Sequence, residues 1–289
     1  MPDRPGVPID SAQSNPRRLH YFSGDTGGAH IGVCMEPPAA DGRIYLIARR
    51  HRYFYGFALA WFDPATYATG AFKDDGAFNH YQIGWMALID GGRKLAITTY
   101  VQYNKQLPGT APESAALFIF DVKEQKITGK YIPLADCRAL LGVVQTAPDQ
   151  LVGTAVAPDG NSSVLYRFNL RTGKTEQTRP YPGLICGTPR GDLGVPVRTS
   201  DFLVGPDGLI WAGAEADAGR TMIVRFEPGD LSDHPAGTVS GKNIRLLFNG
   251  GQLYISGAPT VRRVKDYPFG GGAGKASRPL SSRAGLAGE

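Results

Sequence analysis

Cysteine is scarce and poorly placed for bridging. Cys34, Cys137 and Cys186 are odd in number and far apart in the 289 residues, which excludes a fully paired disulfide framework and any C-x-x-C metal or redox pair. They read as buried thiols. No stretch approaches the ~18 apolar residues of a membrane span, and the opening segment MPDRPGVPIDSAQSNPRR lacks an apolar core of the signal-peptide kind. As written, the chain is expected to be cytoplasmic with no membrane partner; a lost upstream segment would make it periplasmic or extracellular. There is no G-x-S-x-G elbow, phosphate loop or dinucleotide fingerprint, which removes the commonest nucleotide enzymes. A broad basic stripe is also missing. The formal charge is +5, but only Arg49, Arg50 and Arg52 stand together, which argues against nucleic acid as a partner.

Glycine and proline, by contrast, are plentiful: 38 and 22 residues, about a fifth of the chain against an ordinary ~12%. Scattered as they are, they suit many short strands joined by tight turns and leave little room for long helices.

A repeat follows. A turn and a short apolar strand recur as Asp41-Gly-Arg-Ile-Tyr-Leu, Gly91-Gly-Arg-Lys-Leu-Ala-Ile, Pro148-Asp-Gln-Leu-Val-Gly, Asp207-Gly-Leu-Ile-Trp-Ala-Gly and Gly250-Gly-Gln-Leu-Tyr-Ile-Ser-Gly. Ile44, Leu95, Leu151, Ile210 and Leu253 are then equivalent, at spacings of 51, 56, 59 and 43 residues. After the first four copies an aliphatic residue precedes Phe by three: Leu59/Phe62, Leu117/Phe120, Leu165/Phe168 and Ile223/Phe226. The next residue is Asp63, Asp121, Asn169 or Glu227. Asp or Asn here can bond its own backbone two residues on and start a turn, which is punctuation and not catalysis.

Before each turn lies a near-continuous apolar run: His30–Met35, Trp85–Ile89, Leu140–Val144, Phe202–Gly205 and Ile244–Phe248. These predict inner strands covered on both faces. More polar outer strands such as Lys126–Ile132 and Lys174–Thr178 complete four strands per unit. One such sheet cannot bury both faces alone, so the units must stack around an axis. The expected fold is all-β, a β-propeller of about five four-stranded blades spanning 19–268. Residues 1–18 and the Gly/Ser-rich tail 269–289 are expected to be disordered. Leu19–Ser23 would supply the fourth strand of the last unit and close the ring; the alternative is a fragment of a six- or seven-bladed ring.

The D-G-x-I-W/Y-x-G and L-x-x-F-D/N-x-x-T-G strands resemble those of propeller families with NHL-like or SMP-30/gluconolactonase-like blades, over residues 19 to 266. The resemblance implies architecture. It also implies, for the SMP-30-like hydrolases, a divalent cation held by Glu, Asn and Asp near the axis. Asp201 stands where one such ligand would, but its Glu and Asn partners are not matched. No resident cofactor is predicted, and a divalent cation stays open.

Propeller ligands usually meet the loops joining strands two and three and those joining successive blades. Several are long here, and long loops on a rigid scaffold are where function concentrates. Arg49, Arg50, Arg52 and Tyr53 lie in one, His80 in the next, and Tyr100, Tyr103 and Lys105 in a third. Guanidinium forks for bidentate anion contact and aromatic rings for stacking on sugar faces point to an acidic glycan. The competing reading packs the aromatics and pairs the arginines with Asp74 and Asp75. His51, His80 and Tyr81 are the candidate catalytic groups, and His30 joins Asp201 as a candidate metal ligand, though the histidine spacing is not a zinc motif. Glu36 and Asp90, at the ends of inner strands, do not make a glycosidase pair. Three functions therefore fit: a carbohydrate- or small-molecule-binding propeller, a protein-interaction scaffold, and a carbohydrate-active lyase or metal-dependent hydrolase.

Overall fold

A computed structural model describes residues 29–35, 38–50, 57–72, 76–101, 110, 112–188, 197–198, 201–216, 219–241, 244–257 and 260–264. Strands dominate, and the chain divides into two compact units, Met1–Arg138 and Ala139–Glu289.

The first unit holds two antiparallel sheets, each with its strands side by side in chain order. One is β1 (Ala29–Met35), β2 (Ile44–Arg50), β3 (Phe57–Phe62) and β4 (Thr69–Ala71). The other is β5 (Tyr81–Ile89), β6 (Lys94–Val101), β7 (Leu117–Asp121) and β8 (Lys126–Tyr131).

The turns form where the side chains can satisfy local backbone. Between β1 and β2, Asp41 accepts the Arg43 N–H at 3.0 Å and the Tyr45 hydroxyl at 3.0 Å, while Gly42 takes φ +80, a conformation glycine adopts without steric cost. Between β3 and β4, Asp63 accepts the Ala65 N–H at 2.8 Å and the Thr66 hydroxyl at 2.7 Å. Asp121 caps the Glu124 N–H in the corresponding turn of the second sheet. Between these sheets an aromatic chain runs from Tyr45 through Phe120, Phe72, Phe78 and Phe118 to Tyr81, each step edge-to-face at 5.2–6.1 Å.

The second unit repeats the plan. β9 (Ala139–Ala147), β10 (Gln150–Val156), β11 (Ser163–Asn169) and β12 (Lys174–Tyr181) form one ladder. A two-stranded hairpin of β13 (Gly187–Thr188) and β14 (Val197–Arg198), not foreseen in the sequence, follows. Next come β15 (Phe202–Val204), β16 (Ile210–Glu215), β17 (Arg220–Phe226) and β18 (Asp233–Ser240). The last sheet has three strands, β19 (Arg245–Asn249), β20 (Gln252–Gly257) and β21 (Thr260–Arg263). Leu19–Ser23, expected to complete it, lies outside the described residues.

The sheets of this unit stack through side chains. Leu141, Val152, Phe202, Val224 and Phe226 share one core, and Trp211, Ile223, Ile244, Leu246 and Leu253 another. Gly142 permits a close approach between two of them: a Cβ there would lie 2.6 Å from the Phe202 side chain. On the outer side, Gln177 Nε2 donates to the Asp230 carbonyl at 2.9 Å and Arg179 pairs with Asp233 at 3.2 Å, tying β12 to the neighbouring sheet.

One expectation fails. The inner strands β5 and β9 are buried along most of their length, but Val204 on β15 and Leu247 on β19 are exposed. β19 alternates, with Leu246 in the core and Arg245, Leu247 and Asn249 outside. An apolar run marks a strand that could be covered on both faces. Whether a second sheet arrives is decided elsewhere in the chain.

Candidate functional site

The two ends of the sheets in the first unit are told apart by one bond. The Ala40 N–H donates to the Gly92 carbonyl at 3.0 Å, which joins the β1–β2 turn to the β5–β6 turn. The opposite end therefore gathers the C-terminal end of β2 (Arg49, Arg50), the N-terminal end of β5 and the C-terminal end of β6, because Tyr81 is in register with Val101 and Gln82 with Tyr100.

The approach to β5 is sharply folded. Gly76 has φ +98, the Asn79 N–H donates to the Gly76 carbonyl at 3.0 Å, and the Tyr81 N–H to the Phe78 carbonyl at 3.0 Å. His80 sits between these turns with φ +62 and is only 4% exposed. A non-glycine residue in the left-handed region is uncommon, though histidine is among those enriched there. Gln82 and Tyr100, 5% and 3% exposed, are cross-strand partners and so share one face of the β5–β6 ladder. The Gln82 Oε1 is buried and accepts no hydrogen bond within the described residues; a buried polar group of this kind calls for a partner, a water or a ligand alike.

Strand alternation separates Tyr81 from that face. Its ring packs edge-to-face on Phe118 at 5.4 Å, the Lys130 ammonium lies 4.9 Å from its centroid, and burial raises its pKa. The structure thus brings His80, Gln82 and Tyr100 to one strand end and places the Tyr81 ring in the aromatic core. Gln82 ends the Asn79-His-Tyr-Gln segment that the sequence puts at this rim, without a role for the amide; its signal is a lone amide in the otherwise apolar run Tyr81–Ile89. Arg49, Arg50 and His30 are on described strands, with side chains outside the description. His51, Arg52, Tyr53, Asp74, Asp75, Tyr103 and Lys105 lie outside the described residues.

The turn end of the same unit carries a cleft of about 340 Å³ lined by Asp41, Arg93, Asp121, Lys123 and Glu124 among others. Its carboxylates already serve the chain: Asp41 holds Arg43 and Tyr45, Asp121 caps Glu124, and Glu124 pairs with Lys126 at 2.6 Å. Arg93 is bound to Asp90.

In the second unit, Asp201 bridges two sheets. Its Oδ1 accepts from Arg245 at 3.0 Å, its Oδ2 accepts the Leu246 N–H at 2.7 Å, and its carbonyl accepts the Cys186 thiol at 3.4 Å. Both carboxylate oxygens are thus committed to holding the start of β19. Cys137 and Cys186 are buried thiols, and burial raises the pKa of Cys137. Among the described residues, no group of three or more His, Cys, Asp or Glu is placed to hold a metal ion, and no helix is long and apolar enough to cross a membrane.

No protein-family model and no curated protein matches the chain. Solved structures do. A hypothetical selenium-binding protein from Sulfolobus tokodaii aligns at TM-score 0.50 and 14% identity, over 79% of this chain and 57% of that one. Hydrazine synthase from Kuenenia stuttgartiensis aligns at TM-score 0.48 and 12% identity, over 75% and 59%. The Dos1 propeller aligns at 0.46 and 9%, over 80% and 56%. The chain spans less than three-fifths of each of these structures. Taken with the serial antiparallel sheets, the architecture is all-β and of the β-propeller kind.

Proposed function

We infer that the chain is a ligand-binding β-propeller, of about five blades, and that the loop end of its first unit takes an anionic carbohydrate or a similar acidic small molecule. The observation that carries this reading is the meeting, at one end of β2, β5 and β6, of the Arg49–Arg50 strand terminus with the buried polar residues His80, Gln82 and Tyr100. Arginine forks recognise carboxylate or sulfate in pairs of parallel hydrogen bonds. In this reading Arg49, Arg50, Arg52 and Lys105 contact the anionic groups, Tyr53 and Tyr103 stack on sugar faces, and Tyr100 with Gln82 fixes the floor.

The test is a thermal-shift series with acidic and neutral oligosaccharides, each with calcium, manganese or a chelator. A ligand that binds only the folded chain raises Tm by mass action. A rise with the acidic sugar that disappears in an Arg50→Ala/Arg52→Ala variant supports the reading. A cooperative melt that no sugar moves sinks it and favours an interaction scaffold.

One observation favours a second reading, a lyase: the buried His80 in its left-handed backbone, since such conformations persist where the surrounding structure enforces them and concentrate at functional sites. His80 or His51 would then take the proton from the ring carbon next to the sugar carboxylate as the glycosidic C–O bond at the neighbouring carbon breaks, the oxygen leaving with a proton from water and a double bond forming between the two carbons, with a divalent cation as helper. Release of an unsaturated product by the parent chain, and none by His80→Ala or His51→Ala, would establish it.

A further inference from the structure

Three turns of the first unit meet at the end away from His80, Gln82 and Tyr100, and each supplies a wall of the cleft of about 340 Å³. Ala40 and Asp41 come from the turn before β2, Arg93 from the turn before β6, and Asp121 to Glu124 from the turn between β7 and β8. The walls are bonded to one another. The Ala40 N–H donates to the Gly92 carbonyl and the Val122 N–H to the Arg93 carbonyl, both at 3.0 Å. Gly92, at φ +82, lets the first pair close, since a Cβ there would stand 3.0 Å from the Ala40 nitrogen. Gln125 Nε2 donates to the Val122 carbonyl at 2.6 Å and to the Tyr45 hydroxyl, which donates in turn to Asp41. Walls held in this way are already in place before a ligand arrives, so little ordering is left for binding to impose.

The charges of the cleft are unevenly committed. Asp41 and Glu124 each have a cation, Arg43 at 3.8 Å and Lys126 at 2.6 Å. Arg93 donates to Asp90 from Nε and Nη2, which leaves Nη1 of its five-donor fork uncommitted. Lys123 is exposed and pairs with no carboxylate among the described residues. Asp121 accepts the Glu124 N–H at 2.9 Å through Oδ1, and its Oδ2 is left over. The turn does not need that charge: between β11 and β12 the neutral Asn169 accepts the Arg171 N–H at 2.9 Å in the same role. Two cationic donors, one carboxylate oxygen and the apolar surface of Ala40 and Val122 therefore remain to meet a ligand.

We propose that this cleft is a second ligand site, for a small zwitterion of the free amino-acid type with an apolar side chain. Arg93 and Lys123 take its carboxylate, Asp121 takes its ammonium group through Oδ2, and its side chain lies on Ala40 and Val122. A simple anion fits less well, because Asp41, Asp121 and Glu124 stand in the same cleft and repel it. A simple cation meets Arg93 and Lys123 and leaves both without a partner. The volume stands at the small end of the ~300–1,000 Å³ of ligand pockets, which suits a molecule of this size. The site is at the opposite end of the strands from the loop end and is independent of the carbohydrate reading.

The test follows the backbone amide resonances of the full, isotope-labelled chain at mildly acidic pH during titration with three compounds. L-leucine carries both charges, N-acetyl-L-leucine the carboxylate alone, and L-leucinamide the ammonium alone. Leucine is expected to give saturable shifts at the Asp41, Arg93 and Lys123 amides, and removal of either charge to weaken binding by about tenfold or more, the scale of one charge-assisted contact. Lys123→Ala, at an exposed position whose side chain holds none of the three turns, should weaken leucine by about tenfold. Asp121→Asn keeps an acceptor for the turn, as Asn169 does, and should weaken leucine while N-acetyl-leucine binds no more weakly than before. No saturable shift at these amides, an equal response to the three compounds, or leucine binding indifferent to both variants overturns the proposal.

Discussion

The indole Nε1 of Trp211 donates to the Asp207 carboxylate at 3.0 Å, four residues back along the chain. The same carboxylate accepts the Leu209 N–H at 3.2 Å, and Gly208 between them takes φ +80. Asp41, Gly42, Arg43 and Tyr45 repeat the arrangement in the first unit, with a phenol in place of the indole. The recurring Asp-Gly-x-x-aromatic pattern is therefore a turn clamped by the ring that follows it. Asp207→Ala leaves the fully buried Trp211 without that acceptor and should cost about 1–3 kcal/mol. Urea unfolding followed by tryptophan fluorescence measures it, and a midpoint unchanged from the parent would mean that the clamp is incidental.

Gly153 lies under the Tyr166 ring, its cross-strand partner, and a Cβ at residue 153 would come 2.3 Å from the ring carbon Cζ. Gly153→Ala should destabilise by about 1–3 kcal/mol through overpacking. Pairing it with Tyr166→Leu should recover part of the loss relative to the sum of the single changes, a non-additivity read from a double-mutant cycle.

Stability should fall on both sides of neutrality. Hydrogen bonds from Thr66, Ser162 and Asn169 hold Asp63, Asp159 and Glu176 below their ordinary pKa, and Arg93 does the same for Asp90. A carboxylate depressed in the folded chain contributes stability that is complete above its unfolded value, near 4, and lost as pH drops through the folded one. Tyr45 runs the other way: burial pushes it up to about 12, so its contribution is complete below about 10 and disappears as pH climbs through the folded value. Tm recorded against pH should show both limbs. Asp63→Asn/Asp159→Asn should flatten the acid limb and leave the alkaline one in place.

Asp201 is expected to act on the last sheet alone. Asp201→Ala removes the acceptor of the Leu246 N–H and the partner of Arg245, and the loss should register as faster hydrogen exchange along β19–β21 with little change in β9–β12. Equal acceleration in both ladders would place its role elsewhere. A calcium- or manganese-dependent rise in Tm that vanishes in this variant would instead make it a cation ligand.

At the loop end, Arg50→Ala/Arg52→Ala should weaken acidic-oligosaccharide binding by about tenfold or more, the scale of losing one charge-assisted bidentate contact. Gln82→Leu tests the floor of the same site: neutral or gained stability with lost binding is the expected split, because an apolar replacement relieves the buried amide oxygen.

Much of the architecture is local, and so it could be read residue by residue. The turn copies at Asp41, Gly91, Pro148, Asp207 and Gly250 mark where β2, β6, β10, β16 and β20 begin. The aliphatic-x-x-Phe pattern marks β3, β7, β11 and β17. Asp63 and Asn169 bond the backbone two residues on, as their chemistry requires. Each of these depends on a few neighbouring residues, whose propensities and short side-chain bonds act before any long-range contact forms.

What depended on distant partners was not legible. His80 and Tyr81 are adjacent in sequence and both candidate catalytic groups; the turn before β5 and the alternation of the strand join His80 to the end shared by Gln82 and Tyr100 and put the Tyr81 ring against Phe118. Asp201, a candidate metal ligand by its position in sequence, accepts from Arg245 and the Leu246 N–H, more than forty residues on, which the local sequence does not announce. Ile244–Phe248 has the composition of a strand covered twice, yet Leu247 is exposed. Sequence by itself determined where strands start, stop and turn, because those choices are made by side chains acting on their own backbone. Which face is covered, which carboxylate is engaged and which polar groups meet were decided only by tertiary structure, because each needs a residue that the local chain does not contain.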